Sequence, residues 1–145
     1  MLGKLKAERP ELMPQVIFLD GNGILHPHGF GLASHLGVLA SIPTIGVGKT
    51  IMDIDGLHER WNKRRLLPGA HEVLQGDSGN VWGAAVAAPS CIKPVFISVG
   101  HRVSLETAVE LTKRVSRTRI PEPVRAADLQ SRELLRELEE NGEVI

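Results

Sequence analysis

The sequence contains no tyrosine, and aromatic residues make up only 3% of it. Phe18, Phe30, Phe96, Trp61 and Trp82 are the only side chains able to stack on bases, which argues against a platform holding several unpaired bases in a row. Any base recognition falls instead to backbone groups and apolar walls. The single cysteine, Cys91, excludes an internal disulfide. No apolar run approaches the roughly 20 residues of a membrane span. The opening MLGKLKAERPELMPQ lacks the apolar stretch and small-residue cleavage site of a secretory signal. The default expectation is an intracellular protein, cytoplasmic or nuclear, with no membrane partner. Net charge is zero, so no overall field draws in a polyanion.

What is present is an ordinary globular composition, 42% hydrophobic and 23% charged over 145 residues, enough for one domain with a core. Its charge is unevenly placed. Arg102, Lys113, Arg114, Arg117, Arg119 and Arg125 outweigh Glu106, Glu110 and Glu122, and an acidic stretch follows from Ala126 onward. A basic segment beside an acidic tail suits a phosphate-binding face followed by a solvated helix, or simply two helices with solvated faces.

Along the chain, residues 1–13 form a polar segment, loose or weakly helical, and 133–145 an acidic tail. Val16-Ile17-Phe18-Leu19 is a short, continuous apolar run, which predicts a strand buried on both faces of a covered sheet. It ends in Asp20 and the turn Gly21-Asn22-Gly23. Leu32, Leu36 and Leu39 with small residues between them predict a closely packed helix over 31–40, and Thr44–Val47 a second buried strand. Residues 53–79 have no clean period and are predicted to be an excursion with one short helix over 57–63. Strands are expected over 81–87 and 94–98. Ser104 is placed to cap a helix with Glu106 in its first turn, and a last helix is expected over 124–140. This inventory gives four strands, and Val16–Leu19 reads as a central strand that requires a neighbour on each side.

Two motifs mislead. Gly46-Val47-Gly48-Lys49-Thr50 echoes the end of a phosphate-binding P-loop, but Pro43 stands where that loop requires glycine, and a turn, not a helix, is expected after it. His26, His28 and His35 match no structural zinc spacing and have no cysteine nearby. Asp20 is more informative. A carboxylate at the C-terminal end of a buried strand lies on the rim of an α/β sheet, where ligand sites form, and either binds a hard cation or caps its own turn.

Taken together, four segments resemble the endonuclease V family: Asp20 through Gly37 with its glycines and His26-Pro27; Pro43 through Lys49; Ser98 through Ala108; and Arg119 through Arg125. Their order and extent, over residues 14–132, make the resemblance specific. It implies an α/β, ribonuclease H-like mixed sheet flanked by helices, and a nuclease that uses Mg2+ or Mn2+ to hydrolyse a phosphodiester near inosine in single-stranded RNA or DNA.

By the same resemblance Asp20 is a catalytic carboxylate and metal ligand, Lys49 lies beside the scissile phosphate, and His26 is near the metal. Asp128 is a further metal ligand. Gly29, Phe30, Gly31 and Leu32 line the pocket for a flipped-out base. Arg102, Arg119 and Arg125 steady phosphates, and Arg102 and Arg125 could equally tie helix to sheet. His28 departs from the arginine usual after His-Pro, and Asp53, Asp55 and Asp77 fall outside the motifs and read as turn residues.

The resemblance also implies upstream strands bearing another aspartate, a catalytic glutamate and a duplex-opening wedge, so the chain is expected to be N-terminally truncated. An enzyme needing a complementing N-terminal segment follows from this. So do two alternatives, a non-catalytic nucleic-acid-binding remnant and an unstable fragment of a truncated gene model.

Overall fold

The computed structural model describes residues 1–143; the last two residues of the acidic tail, 144–145, lie outside them. The chain opens with α1 (Leu2–Glu8) and a 3-10 turn (Pro10–Leu12), neither of which buries a residue. A five-stranded sheet follows, built from β1 (Ile17–Asp20), β2 (Thr44–Gly48), β3 (His71–Gln75), β4 (Val81–Val86) and β5 (Val95–His101). The spatial order is β1-β2-β5-β4-β3; β1 and β2 run parallel and the remaining pairs antiparallel. The helices are α2 (Leu32–Ala40), α3 (Leu57–Trp61), α4 (Leu105–Val115) and α5 (Glu122–Glu140).

Alternation along the strands builds two cores. On one face Ile45, Val47, Ala84, Val86, Val95 and Ile97 meet Ala108 and Val109 of α4 and Val124 of α5. On the other, Ala85, Phe96 and Leu74 meet Leu25, Leu57 and Trp61. The sheet is thus covered on both sides, which explains why β2 is buried at every position. The expected α/β mixed sheet flanked by helices is the one observed.

Four expectations require correction. The supposed excursion contains β3, whose HEVLQ sequence buries only Leu74 fully. An edge strand with one fully buried side chain leaves no apolar run to read. Ile17–Asp20 is not buried on both faces: among the described residues β1 pairs with β2 alone and stays half-exposed to exposed. In α2 the packing face is made of the small residues, not the leucines. Ala33, Ser34 and Gly37 are buried, whereas Leu32 and Leu39 are 59% and 84% exposed. A Cβ at Gly37 would stand 2.2 Å from the His101 Cβ and 2.5 Å from the Thr44 hydroxyl, so this helix approaches the sheet at glycine distance. Finally, α5 starts at Glu122, with Pro123 in its first turn, a position where the missing proline N–H costs nothing.

The remaining helices follow their sequence signals. Ser104 caps α4, its hydroxyl accepting from the Thr107 amide at 3.1 Å. Asp55, with φ +50°, accepts from the Ser78 amide and hydroxyl and from the Trp82 indole at 2.8 Å. These bonds, those from Ser78 first, hold its carboxyl below the usual aspartate range and fasten the Asp53–Gly56 turn to the β3–β4 hairpin.

Candidate active site

The C-terminal ends of β1 and β2 lie side by side, because the two strands are parallel and Asp20 is in register with Val47. Lys49 follows one residue beyond β2, and its ammonium donates to Asp20 Oδ2 at 2.9 Å. The Lys49 and Asp20 side chains are 39% and 50% exposed, so the pair faces solvent at the sheet rim. On the side of α5, Phe18, Asp20, Val124, Ala127, Asp128 and Ser131 line a shared cavity of about 230 Å3. Asp20 and Asp128 are thereby brought together from elements more than a hundred residues apart. Asp128 is also paired with Arg132 one helical turn on, at 3.1 Å.

The turn after Asp20 is fixed from below. The Gly21 amide donates to the Val47 carbonyl at 3.1 Å, and the Ile24 amide to the Val99 carbonyl at 2.8 Å. Gly23 N–H donates to the buried Ser98 hydroxyl at 2.9 Å. Gly46 on β2 passes directly beneath: a Cβ there would stand 2.4 Å from the Gly23 nitrogen and 2.7 Å from the Gly21 oxygen. No side chain fits between β2 and this turn.

Ser98 has a positioning role that the sequence reading did not assign, although it lies within one of the quoted segments. The signal was available, since a serine ending the apolar run Pro94–Ile97 must find a partner once buried. Ser98→Ala leaves the Gly23 amide unsatisfied, and the expected cost is about 1–3 kcal/mol of stability in a denaturant titration. A Ser98→Thr variant that keeps the hydroxyl restores most of it; equal losses in both variants would show that volume, not the bond, matters there.

The glycine-rich loop after His26 returns over this turn. Gly31 N–H donates to the Gly23 carbonyl at 2.9 Å, the Ala33 amide to the Asn22 carbonyl at 3.0 Å, and the Leu32 side chain lies against Gly21. Gly29 takes φ +64°, the left-handed region that glycine enters without strain. Phe30 and Leu32 are exposed, at 40% and 59%, with Phe30 edge-on to the His35 ring at 4.5 Å. An apolar surface is thus held beside Asp20 by backbone bonds alone. Half-buried His26 accepts at Nδ1 from the His28 amide at 3.2 Å, its ring tilted toward that of His28. Among the described residues no hydrogen bond joins its side chain to Asp20 or Lys49.

The three arginines differ. Arg119 is half-buried, and its guanidinium donates to the carbonyls of Lys49 and Pro94, tying the end of β2 to the start of β5. Burial is the main influence that lowers its pKa, and its Nε is buried with no partner. Arg125 pairs with Glu122 on its own helix through two bonds of 3.0 and 3.1 Å. Arg102 is exposed in a left-handed conformation, φ +49°, just after β5. The structure thus gathers Asp20, Lys49, Asp128 and the 29–32 loop at one rim, sets Arg119 beneath Lys49, and holds Arg125 within α5.

Among the described residues no three histidine, cysteine, aspartate or glutamate side chains are grouped to hold a metal. Asp20 and Asp128 nonetheless fit a hard divalent cation. Mg2+ keeps several waters and is commonly held by one or two carboxylates together with substrate phosphate oxygens. The P-loop resemblance stops at composition, because Gly46–Thr50 does not open a helix; the next helical residue is Leu57.

A mixed α/β sheet with a carboxylate, a lysine and a backbone-built apolar loop at one strand-end rim defines the class, a ligand-handling α/β protein with its site outside the carboxyl ends of parallel strands. A family model described as Endonuclease V matches residues 1–129, and the chain belongs to the endonuclease V family. It is 46% identical to the Endonuclease V of Mus musculus, across 94% of this chain and 42% of that protein. It is 49% identical to that of Homo sapiens, across 94% and 50%. The chain therefore spans about half the length of these curated relatives.

Among solved structures, the catalytic domain of human Endonuclease V superposes with a TM-score of 0.86 at 49% identity, covering 94% of this chain and 58% of that one. Ciona intestinalis Endonuclease V, in complex with a 24mer DNA containing an inosine followed by a ribo-adenosine, gives 0.79 at 41% identity, covering 94% and 61%.

Among the described residues no helix is long and apolar enough to cross a membrane.

Proposed function

We propose that the chain carries the greater part of the cutting site of a metal-dependent endonuclease that hydrolyses a phosphodiester near inosine in single-stranded RNA or DNA. The observation that carries this reading is the Asp20–Lys49 pair at the ends of two adjacent parallel strands, with Asp128 in the same cavity.

In this reading Asp20 and Asp128 hold Mg2+ or Mn2+. The metal, when bound, supplies Lewis-acid activation of water and stabilisation of the departing oxygen. Lys49 offsets negative charge growing on the scissile phosphate, as a preorganised cation at a partly desolvated rim does. His26, half-buried at the start of the glycine-rich loop, borders the same site. The flipped-out base rests on the 29–32 loop, where Phe30 and Leu32 give an apolar wall and the glycine backbone allows close approach to a base edge. Arg119 positions Lys49 through the Lys49 carbonyl, and Arg102 and Arg125 are the outer phosphate contacts, Arg125 by exchanging Glu122 for phosphate. Two carboxylates are few for a nuclease centre, so the proposal includes a complementing acidic segment supplied from outside these 145 residues.

The test is cleavage of a labelled single-inosine RNA strand and its DNA counterpart with Mg2+ or Mn2+, by the chain alone and with the family's N-terminal segment added. A product cut near the inosine, absent for Asp20→Ala and for the inosine-free strand, is expected. No cleavage under either condition, with the fold intact by circular dichroism, overturns the enzymatic reading in favour of a non-catalytic binding remnant. A chain that fails to fold supports the fragment alternative.

A further inference from the structure

A second cavity, of about 330 Å3, opens on the opposite face of the sheet end and shares Lys49 with the site above. Its polar lining is His58, Asn62, Arg64, Arg65 and Lys93 together with Lys49 and Thr50, and no carboxylate takes part. In a chain with zero net charge, this is a local concentration of one sign.

The cations are unequally neutralised. Lys49 is paired with Asp20, and Arg64 with Glu72 at 2.7 Å. Arg65 donates only to the Arg64 carbonyl, and exposed Lys93 has no hydrogen-bond or ion-pair partner among the described residues. Beneath them, part-buried Arg119 leaves its Nε without a partner, and nearby Arg65 is one of the charges that lower its pKa. Arg65 and Lys93, the two cations of the lining without a carboxylate partner among the described residues, leave a local positive field that favours an anion from outside.

The floor of the cavity says which part of a nucleic acid it suits. Trp61 and Phe96 are 3% and 5% exposed, and the Arg64 guanidinium covers the Trp61 ring at 4.4 Å. Neither Trp61 nor Phe96 leaves an open face for a base to stack on, whereas donors are plentiful: a guanidinium, an ammonium, the Asn62 amide and the Thr50 hydroxyl. Such a lining contacts sugar and phosphate and reads no sequence.

We propose that the Arg65–Lys93 cavity is a phosphodiester subsite that holds the substrate strand next to the position of cutting, with Lys49 as the residue common to both. This rests on the nucleic-acid-cutting reading above and extends it to a second, sequence-independent contact. The strand crosses the end of β2 from the Asp20–Asp128 rim to the α3 side, passing Lys49 between them.

The experiment measures binding of a fluorescent single-inosine RNA strand, and an inosine-free strand of equal length, by anisotropy at several salt concentrations with chelator present so that nothing is cut. The proteins are the parent chain, the double variant R65Q/K93Q, and K4Q/K6Q, which removes the same charge from α1. Two lost phosphate contacts on a single strand are expected to make the slope of log K against log salt shallower by about 1.4, equally for both strands. K4Q/K6Q keeps the parent slope.

A parent-like slope for R65Q/K93Q overturns the subsite while leaving the functional reading intact, as do equal losses for both double variants. Amide shifts at Arg65 and Lys93 on adding inorganic phosphate, with an unchanged slope for strands, would reduce the cavity to a simple anion site and also overturn the proposal. A parent chain that binds neither strand even at low salt overturns the functional reading, and the subsite with it.

Discussion

Replacing Lys49 by methionine is expected to slow the proposed cleavage beside inosine by about a hundredfold to a thousandfold, while the unfolding free energy stays within about 1 kcal/mol of the parent. The two effects separate because of where the ammonium stands. It bonds Asp20 at 2.9 Å, but both side chains are 39% exposed or more, so water screens the pair and little stability is stored in it. At the same place a scissile phosphate would lose the cation that the chain holds against Asp20. Methionine keeps the length and apolar stem of lysine, so packing beside β2 is preserved. Single-turnover rates and denaturant titrations on the same preparations check the claim, with the complementing segment supplied where cleavage requires it. A rate loss that merely follows a loss of stability, or no rate loss, removes Lys49 from the chemistry.

A methyl group on β2 produces the other large effect. Gly46→Ala lowers stability by about 1–3 kcal/mol and depresses cleavage as well, through a residue that touches no substrate. The added carbon would meet the Gly23 nitrogen and the Gly21 oxygen, both backbone atoms that cannot swing aside as a side chain would. Relief requires the Gly21–Gly23 turn to lift from β2, which breaks the bonds from Gly23 to Ser98 and from Ile24 to Val99 and shifts Asp20 at the turn's start. Gly3→Ala is the control, since nothing lies within 4 Å of a Cβ there. A denaturant midpoint that falls for Gly46→Ala with an unchanged m-value, and stays put for Gly3→Ala, is the expected pair of results. A Gly46→Ala chain of parent stability would mean that the turn is held less closely than described.

The legible parts of this fold were those written in local chemistry. β2 and β5 are runs of apolar residues because both their faces are covered, Ser104 announces α4, and Pro121 and Pro123, at the cap and in the first turn of α5, announce its start within two residues. β3 was illegible because its HEVLQ run lies at one end of the sheet order and buries a single side chain fully, which leaves neither an apolar run nor an alternation to find. α2 was legible as a helix but not in orientation. Periodicity pointed to its leucines, whereas the approach at Gly37 turned its small residues to the sheet, and hydrophobicity carries no record of distance.

At the site, Asp20 stood out by ending an apolar run, but its proximity to Lys49 and Asp128 came from the family resemblance and not from any spacing. The Arg119 tie was missed because a tertiary hydrogen bond between residues 70 positions apart leaves no local trace, and at Ser98 the sequence signals that a buried hydroxyl needs a partner but not that the partner is Gly23, 75 positions away. The Arg65–Lys93 cavity was missed for a related reason. Its charges come from three separate segments, Lys49, Arg64–Arg65 and Lys93, and the short basic run Lys63–Arg65 does not by itself tell that the other two come beside it.

One feature of β1 has a bearing on fidelity. Ile17–Asp20 forms a ladder with β2 alone among the described residues, and a four-residue strand with no fully buried side chain has its register set by few contacts. A slide of one position would turn Asp20 to the α2 face and put a leucine or a glycine into the acidic cavity, erasing the site while leaving the sheet otherwise whole. The bolt against that slide is the pair of bonds from Gly23 to Ser98 and from Ile24 to Val99, made not to β1's neighbour but to the next strand over. Molecules with the bolt broken would keep their helices and their melting cooperativity yet divide into two populations, one able to gather its carboxylates and one not. Two amide resonances for Asp20 in slow exchange would be the mark of that division.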